Sequence, residues 1–319
     1  MALHFDRSQE VTYRVADEVI PGIRRVVAEN PGPYTFKGTA TFVIGRGEVA
    51  IVDPGPADKA HIDAILAALP GERITHQLIT HTHPDHSPGA RLIKEQTGAP
   101  TFGFGPHPVS EEAAQKADEK AAPSEADEEG TDTSSEEKSD VDFVPDTFVA
   151  DGDSIVGPGW SVEAVHTPGH LANHLCFSLN GEILFSGDHV MGWSTSVISP
   201  PGGNLNDYLE SLTKLLARNE SVYLPTHGSP ITDPRDFVRG LIAHRNDRTA
   251  QIREQLRSGA RTVEELVEAL YVGLDTRLIK AAGRSVSAHL ESMERDATAY
   301  REHRETVAGN RTTHWREAP

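Results

Sequence analysis

Cysteine is almost absent from this chain: Cys176 is the single one among 319 residues. That excludes a disulfide within the chain and any zinc site built on thiolates, so a metal here must be held by nitrogen and oxygen. Long apolar runs are also missing. No stretch approaches the roughly 20 residues that a membrane span requires, and the first 19 residues carry charges throughout, with no apolar signal segment. The expectation is a soluble, cytoplasmic protein. Positive charge is scarce, with 30 Lys and Arg against 48 Asp and Glu, a net −18. Such a balance argues against broad, nonspecific binding to a nucleic-acid backbone.

The charge is unevenly spread. Residues 111–142 hold 13 acidic residues against three lysines. Residues 109–142 contain no Leu, Ile, Phe, Tyr or Trp and cannot bury enough apolar area to offset chain entropy, so a disordered surface insertion is expected there. From residue 230 onward, 15 basic residues offset 14 acidic ones, which leaves an anionic substrate possible but argues against strong duplex DNA binding.

Elsewhere the pattern alternates. Residues 40–53, ATFVIGRGEVAIVD, read as a hairpin, residues 57–69 as an amphipathic helix, 74–80 as a strand and 91–97 as a helix leaving it. Beyond the insertion, structure is expected to resume at Phe143. A strand over 160–165 follows, then a hairpin turning at Asn180-Gly181, a helix over 205–216 and a short strand over 222–224. This is an α/β pattern. Past residue 230 it turns helical: Asp233-Pro234 reads as an N-cap and first turn, Thr262 to Glu265 as a capping box, and residues 278–293 as a third helix. The expected division is residues 1–230, then a small winged-helix-like module over 231–300, then a tail or wing over 301–319.

The chemistry concentrates in THTHPDHSPG, residues 80–89. Pro84 disfavours the α region for His83, and residues two apart on extended backbone project to one side, so His81 and His83 can reach a single cation. Asp85 and His86 follow where the chain turns and can serve a second cation. Further metal-capable groups stand at other strand ends: His170 in TPGH, Asp188 in SGDH and His227 in PTHG. Histidine and aspartate suit borderline ions, zinc first, with manganese or iron as alternatives. Two such ions roughly 3.5–4 Å apart can share a bridging water and lower its pKa, which implies hydrolysis.

These segments resemble the metallo-β-lactamase superfamily, an αββα sandwich with its site at the strand ends. The resemblance implies that His81, His83 and His170 bind a first ion, that Asp85, His86 and His227 bind a second, and that Asp188 bridges them. Asp53, in VDPG, matches a position that buttresses the site from behind. The segments HGSPITDP, AHRNDRTAQI, TVEELVEALY and AGRSVSAHLESM are similar to the β-lactamase-like protein 2 branch, in which a winged-helix-like domain packs beside the sandwich and characterised members cleave single-stranded RNA.

Several activities compete within that resemblance. The flavodiiron-type oxidoreductases carry Glu where His83 stands, and the secreted β-lactamases carry a signal peptide. Glyoxalase II-like thioesterases share all seven ligands. Single-stranded RNA and a small ester or thioester therefore stay level as substrates, with a metal-sensing nucleic-acid-binding protein as the non-enzymatic reading. The expected mechanism is attack by a metal-bridging hydroxide, with Asp85 orienting the water or accepting its proton. His174 either orients the substrate or protonates its leaving group, or is a hydrogen-bonded histidine at a strand start. Trp193 and Thr195 are candidate rim contacts, although Trp193 suits an apolar lid equally well. Arg245, Arg248, Arg253 and Arg257 have the spacing of a solvated basic face, from which Arg245 or Arg248 could alternatively reach the cleft. His189 is expected to point away from the site, and Cys176 to lie in the core.

Overall fold

The computed structural model describes residues 3–107, 139–259, 261–305 and 311–319. Seven strands form one sheet in chain order: β1 (Asp17–Ile20), β2 (Ile23–Val27), β3 (Ala40–Ile44), β4 (Glu48–Val52), β5 (Arg73–Leu78), β6 (Thr101–Gly103) and β7 (Thr147–Phe148). The first four pair antiparallel. From β4 onward neighbours are parallel, which requires crossovers, and helices α1 (Lys59–Ala67) and α2 (Gly89–Thr97) supply the first two. The second sheet has the order β12-β11-β10-β9-β8 and comprises β8 (Ser154–Gly157), β9 (Trp160–His166), β10 (Leu175–Leu179), β11 (Ile183–Gly187) and β12 (Val222–Pro225). Its β11 and β12 run parallel, joined through α3 (Leu205–Leu216).

Alternating side chains explain the layering. In β3, Phe42 and Ile44 face inward to meet Phe177, Phe185 and Leu224 of the second sheet, while Val43 faces out onto Ile62 and Ile65 of α1. On the far side, Val165, Cys176 and Leu184 pack against Tyr208 and Leu212 of α3. Strands covered on both faces read as near-continuous apolar runs, as β3 and β10 do apart from Thr41 and Ser178. The result is an αββα sandwich.

Helix α4 (Pro234–Arg257) runs on from the sandwich, followed by α5 (Val263–Leu270), α6 (Ile279–Arg295) and an antiparallel pair, β13 (Ala299–Glu305) with β14 (Arg311–Glu317). The Thr262–Glu265 capping box is formed in both directions. Asp233 departs from expectation, because its side chain makes no capping bond; Pro234 at the first turn and the Phe237 N–H to Asp233 carbonyl bond start α4 instead. The tail forms the pair β13 and β14, held by the buried Trp315, whose backbone exchanges two hydrogen bonds with Arg261.

Two other readings need correction. Strands β1 and β2 escaped notice because Arg24 and Arg25 interrupt the apolar pattern; Arg24 is nonetheless buried and bonds Glu72 at 2.5 Å. The disorder expected over 109–142 falls mostly outside the described residues, but its last four are ordered. Asp140 N–H donates to the Thr82 carbonyl at 2.9 Å, and the Asp140 carboxylate accepts from Ser87 at 2.7 Å, so this segment supports the histidine motif.

Candidate metal centre

The motif begins where β5 ends, and one buried carboxylate anchors it. Asp53 follows β4 in the left-handed region, at φ 51°, and is fully buried. Its oxygens accept from the Thr80 N–H and hydroxyl, both at 2.8 Å, from the Thr226 hydroxyl at 3.1 Å and from His86 Nδ1 at 2.8 Å. Two loops carrying histidines, from different sheets, are thereby tied to one point.

From this anchor the ring nitrogens converge. His83 Nδ1 lies 2.9 Å from His81 Nε2 and 2.9 Å from His170 Nε2. His86 Nε2 stands 3.4 Å from Asp85 and 3.6 Å from Asp188, and His227 Nε2 stands 3.3 Å and 3.4 Å from the same pair. Asp188 also approaches His170 Nε2, at 3.9 Å. Three overlapping groups capable of holding a metal result: His81, His83 and His170; His81, His86 and Asp188; Asp85, His86 and His227.

The hydrogen bonds set the tautomers. Nδ1–H donates to the Thr80 hydroxyl in His81, to Asp53 in His86, to the Val197 carbonyl at 2.6 Å in His170 and to the Gly38 carbonyl at 3.1 Å in His227. Each of the four therefore turns Nε2 inward, the atom whose lone pair a metal would take. Two inward atoms, His86 Nε2 and Asp188 Oδ1, are buried without a hydrogen-bond partner. Buried polar atoms are normally satisfied, and a cation between them would satisfy both.

The electrostatics agree with that fit. Burial, reinforced by the neighbouring imidazoles, holds His81 and His83 well below the ordinary imidazole range, so both stay neutral. Burial would lower His86 and His227 too, but the carboxylates of Asp85 and Asp188 outweigh it, raising His86 well above that range and His227 to about 10. Burial opposes ionisation of Asp85 and Asp188, yet His86 and His227 keep both carboxyls below the usual range. One half of the centre is thus a neutral nitrogen set, and the other is rich in carboxylate.

A model of the Metallo-beta-lactamase superfamily matches residues 34–227, which include every one of these groups. The chain belongs to the metallo-beta-lactamase superfamily. A model of the Beta-lactamase associated winged helix domain matches residues 262–305, so the superfamily sandwich carries a winged helix behind it. A beta-lactamase-like protein 2 homolog from Drosophila melanogaster is 29% identical over 284 residues, covering 85% of this chain and 87% of that protein. A protein from Paecilomyces divaricatus named atrochrysone carboxyl ACP thioesterase is 28% identical over 280 residues, covering 83% and 77%. In fold, a beta-lactamase domain protein from Burkholderia ambifaria superposes with a TM-score of 0.76 at 21% identity, over 99% of this chain and 97% of that one.

Within this metallo-beta-lactamase superfamily chain, several supporting residues were not foreseen. Thr39 donates to Asp85 at 2.6 Å, and Thr80 and Thr226 secure Asp53. The available signal was weak: Thr precedes a candidate ligand at 80–81, 82–83 and 226–227, but the same pair also occurs at 75–76 and 313–314. His174 was expected as a possible catalytic group, but its ring is fully buried and engaged on both sides. Nδ1 meets the Thr167 hydroxyl at 2.9 Å and Nε2 accepts the Asp188 N–H at 3.2 Å, so both ring nitrogens are engaged and His174 supports the backbone at Asp188. Gly187 makes room for this, since a Cβ there would stand 2.6 Å from His174 Nε2. His189 is buried below the centre beside Tyr208. Cys176 is core, and burial pushes its thiol up to about 12.

Trp193 and Thr195 line a cleft of about 230 Å³ that reaches His170 and Asp188. Phe36 stacks on Trp193 at 4.8 Å between ring centroids. Arg245 also borders this cleft but is not a solvated helix residue: it is 4% exposed. Arg248 lies over the Tyr271 ring, while Arg257 is exposed and pairs with Glu254 and Glu317, so the basic face divides. The Arg245 guanidinium donates to the Ser196 carbonyl and lies 5.4 Å from the Tyr208 ring centroid. The next carbonyl along, that of Val197, is the one that orients His170. Tyr208 in turn donates to the carbonyl of His189, the residue after Asp188. Arg245 and Tyr208 thus clamp both ends of the loop between two candidate ligands. Arg245→Met is expected to weaken metal binding by up to about 10-fold, the low end of what losing a direct orienting partner costs, because Arg245 acts on His170 through the 196–197 backbone. Chelator competition measures this, and an unaltered affinity would show that the clamp does not orient His170.

Proposed function

We propose that this superfamily hydrolase cleaves a carboxylic ester or thioester at a centre of two divalent ions, zinc first. The observation that carries this reading is the wall of the cleft. Met191, Trp193, Ile198, Leu274, Leu278 and Ala282 supply mostly apolar surface, and the one Arg or Lys among its described lining residues, Arg245, is committed to the Ser196 carbonyl. Hydrolysis of RNA calls for cations free to meet successive phosphates, whereas an acyl group calls for apolar contact. The relative named as an ACP thioesterase lends the same reading support.

His81, His83 and His170 would hold one ion, Asp85, His86 and His227 the other, with Asp188 between them. When bound, such a pair lowers the pKa of water from about 16 towards 7 and withdraws charge from the attacked carbonyl oxygen. The side chains do the rest. Asp85, oriented by Thr39, is placed to take the proton of the attacking water. Trp193 and Thr195 hold the acyl group at the rim, and Asp53 keeps His86 aimed inward. The C–S or C–O bond breaks as the new C–O bond forms, and the departing thiolate or alkoxide takes up the proton that Asp85 received from the water.

The test is a side-by-side screen of zinc- and manganese-loaded protein. Its substrates are acyl-glutathione and acyl-N-acetylcysteamine thioesters, an aryl ester, a chromogenic β-lactam and end-labelled single-stranded RNA. Turnover of the thioesters with intact RNA is expected. Cleaved RNA with untouched thioesters and esters would overturn the reading.

A further inference from the structure

The winged-helix region carries a larger space than the catalytic cleft. A cavity of about 1030 Å³ opens between α5 and α6, reaching Pro200 of the sandwich. Its apolar walls include Val263, Val267 and Ile279, and its mouth is apolar as well, with Val272 89% exposed. Two further side chains, Tyr271 and Leu274, line both this groove and the 230 Å³ cleft that reaches His170 and Asp188. The two spaces are neighbours across a shared apolar wall.

Size and charge together select an occupant. The cleft at the metal ligands is smaller than the roughly 300 to 1,000 Å³ of ordinary ligand sites, so an acyl group with its carbonyl there must send its tail elsewhere. The groove beyond Tyr271 and Leu274 offers Val263, Val267, Val272 and Ile279 and is large enough to take it. Its charged lining is Glu264, Glu268 and Glu291 against Lys280 and Arg284, a balance that offers a polyanion such as RNA no net attraction. We propose that the groove between α5 and α6 binds the hydrocarbon tail of a long-chain acyl thioester or ester, making the winged helix the part that selects chain length. This rests on the ester or thioester reading above.

The experiment follows a series of acyl-N-acetylcysteamine thioesters from acetyl to dodecanoyl, with the acyl series on glutathione as a second arm. The kcat/KM is expected to rise with acyl length on both thiols, by up to about fourfold for each methylene that becomes fully buried. Gly283 lies on α6 in the groove, and a Cβ there would meet only Val263 Cγ1, at an ordinary 3.7 Å. Gly283→Leu should therefore fold and narrow the groove beside Val263. It is expected to reduce the preference for dodecanoyl while acetyl turnover stays unchanged, and Ile279→Glu, at a half-exposed position, is expected to do the same. A flat chain-length profile, or a preference that both variants leave undiminished or that follows the thiol and not the acyl group, would overturn the proposal. Calorimetric binding of dodecanoate to the full chain gives a readout independent of turnover. If no thioester or ester is cleaved, but dodecanoate binds and Gly283→Leu and Ile279→Glu each weaken that binding, the groove stands and the hydrolytic reading fails. If thioesters are cleaved but dodecanoate does not bind, the groove fails alone.

Discussion

Asp188→Ala is expected to lower kcat/KM by at least about a thousandfold, well beyond the roughly 10- to 100-fold lost with an outer orienting partner, and to reduce bound metal from two ions to one or none. The reason is position. Asp188 comes within 4 Å of His86, His170 and His227, so among the described residues it links the neutral nitrogen set to the carboxylate-rich one. Its loss also removes one of the two carboxylates, Asp85 being the other, whose negative charge stands beside His86 and His227 to offset that of an incoming cation. In the parent protein the protons on those rings must leave when a metal enters, so metal uptake is expected to tighten as pH rises through neutrality. Metal analysis by mass spectrometry alongside thioester turnover measures the effect. Full hydrolysis with one ion or none would refute the two-ion centre.

Asp53→Ala is expected to act first on stability, costing about 3–5 kcal/mol and lowering Tm by roughly 10 °C. The carboxylate is fully buried and accepts four hydrogen bonds, so alanine would strand the Thr80 N–H, two hydroxyls and His86 Nδ1 in a dry interior. Asp53→Asn separates charge from geometry. Asparagine tolerates the left-handed backbone at this position, but its NH2 would face groups that are themselves donors. A smaller loss of Tm with a large loss of metal affinity is therefore expected for Asn. A melt monitored by circular dichroism, with and without added zinc, distinguishes the two variants. A wild-type Tm in Asp53→Ala would show that the buried carboxylate does not tie the two loops together.

Much of the site was legible because histidine and aspartate are conspicuous at strand ends. The groups that support them were not. Threonine is an ordinary strand residue, so Thr80 and Thr226 carried no mark beyond their place before a ligand, and Thr39, before Ala40, carried none. His174 misled for a related reason: its spacing from His170 says that it is near the centre, but only the Gly187 approach shows that its ring lies underneath. Arg245 misled through periodicity, since arginines at helical spacing reveal a stripe but not which part of it another layer covers. In the fold, the apolar strands and the Thr262–Glu265 cap were readable from local pattern. Strand β2 was not, because the charge of Arg24 is neutralised by Glu72, 48 positions away in sequence.

Helix α4 spans 24 residues, about 36 Å at 1.5 Å per residue. Val238 and Leu241, near its start, are built into the sandwich; Ile252 and Leu256, near its end, are built into the winged helix. A rod seated in two cores leaves little freedom for a hinge between them. Whatever lies between α5 and α6 is consequently held at a set distance from His170 and Asp188, so the molecule is built as a fixed gauge and not as a closing jaw.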